Sequence, residues 1–142
     1  MVLDASVAVK WFLPEEDTPQ AMRIARALLR GRLRAVVPEL FFFEVYAVVI
    51  RKHREPERWS TAGSAWLHAL PLRRVPFSPS LGASMHALVQ QGLTGYDATY
   101  AALATQSGLA WLTYDTKASA QLGSPDWVIT GQALRQWTTQ LR

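Results

Sequence analysis

The chain is predicted to be an α/β protein whose mostly parallel sheet is covered on both faces. Three observations predict this. Short apolar, β-branched runs alternate along the chain with longer stretches of helical periodicity, the pattern of successive βα units. The length of 142 residues suits one ordinary domain, a size that buries roughly 68–70% of its unfolded surface. Apolar residues make up 49% and charged residues 18%, as in compact globular proteins and unlike disordered ones. With no internal repeat and no dividing linker, a single domain over residues 1–142 is expected.

The first strand is Val2-Leu3. A short apolar helix follows over Ser6–Leu13 and is stopped by Pro14, because proline lacks the N–H and clashes with the preceding turn. Thr18-Pro19 reads as an N-cap with proline in the first turn, opening a helix that runs to about Arg30 and is closed by Gly31. Arg34–Val37 is the second strand. A helix starts at Pro38-Glu39 and reaches about Arg54, ahead of Pro56. Glu57–Ala69 is expected as a helix, Leu72–Val75 as a strand, and Pro79–Gln91 and Tyr96–Ser107 as helices. Ala110–Thr113 and Trp127–Ile129 complete the strands, with a short helix near Thr116–Leu122 between them. From Gly131 to Arg142, Leu134, Trp137 and Leu141 fall three and four apart, which suits a last packed helix.

Composition removes several classes of function. The absence of cysteine excludes disulfides, thiolate metal sites and a cysteine nucleophile, and agrees with a reducing compartment. Lys10, Glu15 and Arg51 interrupt the apolar stretches well short of the ~18 residues a membrane span needs. Met1 leads directly into Val-Leu-Asp, without the basic and long apolar regions of a signal peptide, so a cytoplasmic protein with no membrane role is expected. The net charge is +4, with arginines grouped at Arg23, Arg26, Arg30, Arg32 and Arg34 and again at Arg51, Arg54 and Arg58. Guanidinium groups suit bidentate phosphate contacts, and they equally suit solvated helix faces and helix C-termini. Charge alone is therefore a weak pointer to nucleic acid.

The acids are more informative. Glu44 is the only charge within Leu40–Ile50, and its helical neighbours Leu40, Phe41, Ala47 and Val48 offer no salt bridge. Burying an unpaired carboxylate costs several kcal/mol or raises its pKa. Glu44 therefore calls for a distant Arg or Lys, a hydrogen-bond network or a metal ion, with Arg51 the nearest basic residue along the helix. Asp4 follows the first strand, Asp115 follows Leu112-Thr113-Tyr114, and Asp97 opens a helix. If the first and fourth strands are adjacent, Asp4 and Asp115 share the crevice at the C-terminal strand ends. Each of the three also reads as a helix cap: Asp4 and Asp115 as N-caps, and Asp97 in a capping box with Thr94. Several carboxylates in one cleft repel each other unless a cation neutralises them, and all-oxygen donor sets select hard ions such as Mg²⁺ or Mn²⁺. A phosphodiester is the natural substrate for such an ion.

Val2-Leu3-Asp4-Ala5-Ser6, Pro38-Glu39-Leu40 with Phe43-Glu44-Val45, Tyr96-Asp97-Ala98 and Leu112-Thr113-Tyr114-Asp115 resemble, in order and spacing, the four acidic motifs of PIN-domain ribonucleases. The likeness runs from Met1 to about Ile129, and the compact format is similar to VapC-type toxins of type II toxin–antitoxin pairs. The resemblance implies a three-layer α/β/α sandwich with a parallel five-stranded sheet, and a homodimer. It implies Mg²⁺ or Mn²⁺ held by Asp4, Glu44, Asp97 and Asp115, supported by the hydroxyls of Ser6 and Thr113, with Glu39 at most in an outer position. It further implies endonucleolytic cleavage of RNA, with tRNA or ribosomal RNA as the target class, and a VapB-type antitoxin that blocks the cleft. The chain departs from the pattern at Ala47, where Asn is frequent, and at Tyr114, which is bulkier than usual.

Two other readings stand beside this one. A noncatalytic RNA- or protein-binding PIN module would keep the acids only as caps. A phosphotransfer enzyme of another α/β type would want Asp-x-Asp after the first strand, where this chain has Ser6. His53, His68 and His86 lack paired metal spacing, and Trp11, Phe12, Trp59 and Trp66 suit a core or a dimer interface.

Overall fold

The computed structural model describes residues 1–141. Its sheet has five parallel strands in the order β3-β2-β1-β4-β5. These are β1 (Val2–Leu3), β2 (Ala35–Pro38), β3 (Leu72–Val75), β4 (Trp111–Leu112) and β5 (Val128–Ile129). Val2 lies opposite both Val36 and Trp111, so β1 is central. β1, β2 and β4 are buried along their whole length, as expected of strands with helices on both faces, whereas edge strand β3 exposes Arg73 and Arg74.

The helices follow from the connections. α1 (Ala5–Val9) and α2 (Thr18–Leu29) join β1 to β2, and α3 (Leu40–Lys52), α4 (Pro56–Arg58) and α5 (Ser64–Ala69) join β2 to β3. α6 (Pro79–Gln90) and α7 (Gly95–Ser107) lead to β4, α8 (Thr116–Gln121) leads to β5, and α9 (Gly131–Thr138) comes last. The chain steps outward from β1 to β3 and then returns to the other side of β1. Right-handed crossovers put α1–α5 on one face and α6–α8 on the other, giving an α/β/α sandwich. α9 packs back on α2, where Arg135 pairs with Asp17 at 2.8 Å.

Three elements differ from expectation. α1 ends at Val9, and Trp11 and Phe12 leave the helix to pack edge-on against Trp66. α3 begins at Leu40 because Pro38 stays in the sheet opposite Val75. The expected Glu57–Ala69 helix is broken into α4, a π-helical turn over Trp59–Gly63, and α5. The Trp59 indole lies against Gly63, where a Cβ would sit 2.3 Å from the ring, so the bulge needs glycine. α3 is also less enclosed than its composition suggests. Phe41, Val45 and Val49 face the core, but Phe43 is 73% exposed and Tyr46 41%.

Candidate active site

The connections leaving β1 and β4 diverge in opposite directions, which makes their shared C-terminal edge the topological switch point where open α/β sheets bind ligands. The adjacency on which the sequence argument depended is present. A cleft of about 610 Å³ opens there, and Asp4, Ser6, Glu44, Asp97 and Asp115 all line it, together with Lys10, Glu15, Tyr114 and Lys117.

Asp4 ends β1 and caps α1. Its Oδ1 accepts the Ser6 N–H at 2.8 Å and its Oδ2 accepts the Trp111 indole N–H at 3.0 Å. Only 7% of Asp4 is exposed. Burial pushes its pKa up to about 6, opposed by the Ser6 and Trp111 hydrogen bonds and reinforced by the charge of Asp97.

Glu44 projects from α3, half-buried, and its Oε2 accepts the Tyr100 hydroxyl at 2.5 Å. This hydroxyl is its partner within the chain; Arg51 is not, and no ion pair to Glu44 occurs among the described residues. Burial pushes Glu44 up to about 7, the Tyr100 hydrogen bond opposes, and the charges of Asp4 and Asp97 add to the rise. Tyr100 is 1% exposed and lies parallel to Trp111, with ring centroids 6.2 Å apart. Its own pKa is driven well above the usual value by burial and by Asp4 and Glu44, so its hydroxyl stays a donor. One aromatic stack thus donates to both raised carboxylates.

Asp97 sits in the first turn of α7. Its Oδ2 accepts the Thr94 hydroxyl at 2.5 Å and its N–H donates to Thr94 Oγ1 at 3.1 Å. Asp115 caps α8 by accepting the N–H groups of Lys117 and Ala118 at 2.8 and 3.0 Å. Thr113 Oγ1 accepts the Asp115 N–H and Ser6 Oγ accepts the Tyr114 N–H, each at 3.0 Å, so the two hydroxyls fasten this turn to α1. Capping and cleft-lining therefore hold together for Asp4 and Asp115, whereas α7 is capped by Thr94 and the Asp97 carboxylate bonds the Thr94 hydroxyl in place of the backbone N–H of a capping box; all three carboxylates line one crevice. Glu39 is exposed at the start of α3 and lines a separate apolar groove with Phe42, Phe43 and Tyr46.

Tyr100, Trp111, Lys10 and Glu15 escaped the sequence reading. Tyr100 lies one helical turn beyond Asp97, and a buried indole needs a partner for its N–H. Both signals were present without naming the carboxylates they serve.

Among the described residues, no three His, Cys, Asp or Glu side chains converge as a ready-made ligand group. The donor chemistry nevertheless suits a hard divalent cation: the lining carboxylates supply only oxygens, and burial, with a smaller addition from neighbouring carboxylates, raises both Asp4 and Glu44. Three of them could ligate together only after side-chain rotation.

The sequence matches the PIN domain family over residues 1–121. The chain belongs to the PIN domain family. β5 and α9 lie beyond the matched residues and complete the sheet and its helical cover. Solved structures share this PIN fold. A toxin–antitoxin complex from Klebsiella pneumoniae has 19% identity and a TM-score of 0.62, covering 91% of this chain and 95% of that one. VapC20 of Mycobacterium tuberculosis, a sarcin-ricin loop cleaving toxin, has 17% identity and a TM-score of 0.66, covering 84% and 92%. PAE2754 of Pyrobaculum aerophilum has 21% identity and a TM-score of 0.66, covering 99% and 93%. No curated protein sequence matches the chain. No described helix is long and apolar enough to cross a membrane.

Proposed function

We propose that the chain, as one PIN domain throughout, is a Mg²⁺- or Mn²⁺-dependent endoribonuclease and the toxin of a VapBC-type pair. PIN domains are generally nucleases that use divalent metals. The observation that carries the reading is the convergence of Asp4, Glu44, Asp97 and Asp115 on one cleft at the switch point of the sheet. These four would hold the cation, which when bound would polarise a phosphoryl oxygen and lower the pKa of a water. Glu44, held at Oε2 by the Tyr100 hydroxyl, would present Oε1 to the cation or to a water beside it. Ser6 and Thr113 keep the Asp115 turn in place.

RNA is the substrate, with tRNA or ribosomal RNA as the class. Support comes from the fold shared with a sarcin-ricin loop cleaving toxin and from the basic surface of the chain. A VapB-type antitoxin covers the cleft, a homodimer is the working form, and the setting is cytoplasmic. Exposed Phe43, Phe77 and Tyr96 supply apolar surface of the kind that protein partners cover. The direct test is expression without an antitoxin: Asp4→Asn and Asp97→Asn should lose growth inhibition, and variants as inhibitory as the parent would refute the reading. A noncatalytic binding module draws on one observation, that Asp4 and Asp115 already serve as helix caps and Asp97 is bonded to the cap Thr94. Mn²⁺ should raise the melting temperature of a nuclease and leave that of a binding module unchanged.

A further inference from the structure

The acidic cleft contains two cations of its own, Lys10 and Lys117. Lys117 is exposed in the first turn of α8, whereas the side chain of Lys10 is only 12% exposed. Lys10 follows the last residue of α1, and its ammonium lies 4.7 Å from the centroid of the Tyr114 ring and forms an ion pair with Glu15. A second groove, of about 710 Å³, shares Glu15 with the cleft and runs past Phe12, Leu13 and Glu55, whose carboxylate pairs with Arg58 at 3.5 Å, to Lys52, His53 and Arg54. These three follow one another at the C-terminal end of α3, and Lys52 and Arg54 are exposed with no ion pair among the described residues. His53 Nδ1 is taken by the Glu55 N–H, which leaves Nε2 for a ligand.

A strand that places one phosphodiester among four carboxylates meets repulsion on every side and needs cations along its path out. Successive phosphates of a single strand are spaced more widely than any one side chain can serve, so such a path takes several basic groups in line. Lys10 and then Lys52, His53 and Arg54 form that line, and Glu15 stands at the junction between the two cavities. We propose that this groove is the track for the single-stranded RNA flank leaving the cleft, with Glu15 as a gate that occupies Lys10 until a backbone phosphate replaces it. The inference rests on the ribonuclease reading for its substrate. The exchange is electrostatic: a phosphate takes the place of a carboxylate on the same ammonium, and no bond is made or broken. Phe12 and Leu13 give the groove an apolar floor without fixing a base sequence, consistent with contacts to the backbone and not to base edges.

The test is binding of a fluorescent oligouridylate to the full chain in EDTA, where cleavage is blocked, followed by anisotropy across a range of NaCl concentrations. Each lost phosphate contact on a single strand lowers the slope of log K against log salt by about 0.7. Lys10→Gln should lower it by about 0.7, and the Lys52→Gln/Arg54→Gln pair by about 1.4. Arg23→Gln/Arg26→Gln, removing equal charge from the exposed face of α2, should leave the slope at the parent value. Glu15→Gln should tighten binding several-fold at low salt, because Lys10 no longer has a competing carboxylate. Melting curves show whether each variant is folded, and Glu15→Gln provides a gain that misfolding cannot imitate.

The track is overturned if the groove variants keep the parent slope, if the α2 control falls by the same amount, if Glu15→Gln weakens binding, or if the parent does not bind the oligonucleotide. Parent protein that cleaves RNA in Mn²⁺ while the groove variants bind unchanged would sink the track and leave the nuclease standing. The reverse pattern, no cleavage in Mn²⁺ but a groove-dependent salt slope, would sink the nuclease and leave an RNA track.

Discussion

The two walls of the acidic cleft are built differently. On the strand side, Asp4 and Asp115 are held at strand–helix junctions by backbone N–H groups, from Ser6 in one case and from Lys117 and Ala118 in the other, and Asp4 is held in addition by the buried Trp111 indole. On the helix side, Glu44 and Asp97 are each held by a side-chain hydroxyl at 2.5 Å, Tyr100 for one and Thr94 for the other. Backbone donors cannot be mutated away, so the strand wall, apart from the Trp111 indole, is fixed by the fold itself. Hydroxyl donors can be deleted with little change of shape, so the helix wall is where orientation and proton affinity can be tuned. The raised pKa of Glu44, about 7, belongs to the tunable wall.

The largest expected effect comes from removing one carboxylate on either wall. Asp4→Asn and Asp97→Asn should each lower Mn²⁺-dependent RNA cleavage roughly a thousandfold, since a bound metal supplies several kcal/mol of transition-state stabilisation at 1.36 kcal/mol per decade. Full cleavage by either variant would show that its wall holds no metal.

Next comes the hydroxyl beneath Glu44. Tyr100→Phe keeps the ring stacked on Trp111 and deletes only the donor, so Mn²⁺ affinity measured by calorimetry should fall about 10–100-fold, as for other groups that orient a metal ligand. Thr113→Ala, which removes a hydroxyl from the strand wall, should cost less affinity, because the Asp115 carboxylate keeps its two backbone donors. Equal losses would erase the distinction between the walls.

A smaller effect is expected in the pH dependence of stability. Asp4 and Glu44 have folded pKa values of about 6 and 7, above the ~4 of unfolded carboxyls, so the folded state holds protons that the unfolded chain releases. Their contribution is complete below about pH 4 and is lost as pH rises through about 6 and 7. Metal-free Glu44→Gln should therefore gain melting temperature relative to the parent at pH 8 and lose that advantage at pH 5. An advantage independent of pH would contradict the assignment. The smallest effect belongs to Thr94→Ala, which removes the cap of α7 and should cost about 1 kcal/mol in denaturant unfolding.

Legibility in the sequence followed the range of each interaction. The βα alternation and the burial of β1, β2 and β4 could be read from short apolar runs, and the caps at Asp4, Thr94 and Asp115 from residues within three positions of the groups they bond. The break at Trp59–Gly63 could not be read. There the Trp59 indole packs T-shaped on Phe12, a residue far away in the chain, with ring centroids 5.3 Å apart. The Tyr100 hydrogen bond to Glu44 spans 56 positions, and the Trp111 bond to Asp4 spans 107, so neither has a local signature.

The sequence by itself determined the α/β class, the order of the elements and the four acids that had to be accounted for, because periodicity and capping act over a few residues. Tertiary structure alone decided that β1 and β4 are neighbours, that Glu44 finds its partner in Tyr100, and that Lys10 and Glu15 stand where two cavities meet. Those facts depend on crossovers bringing distant segments to one sheet edge, where burial and like charge then set the chemistry.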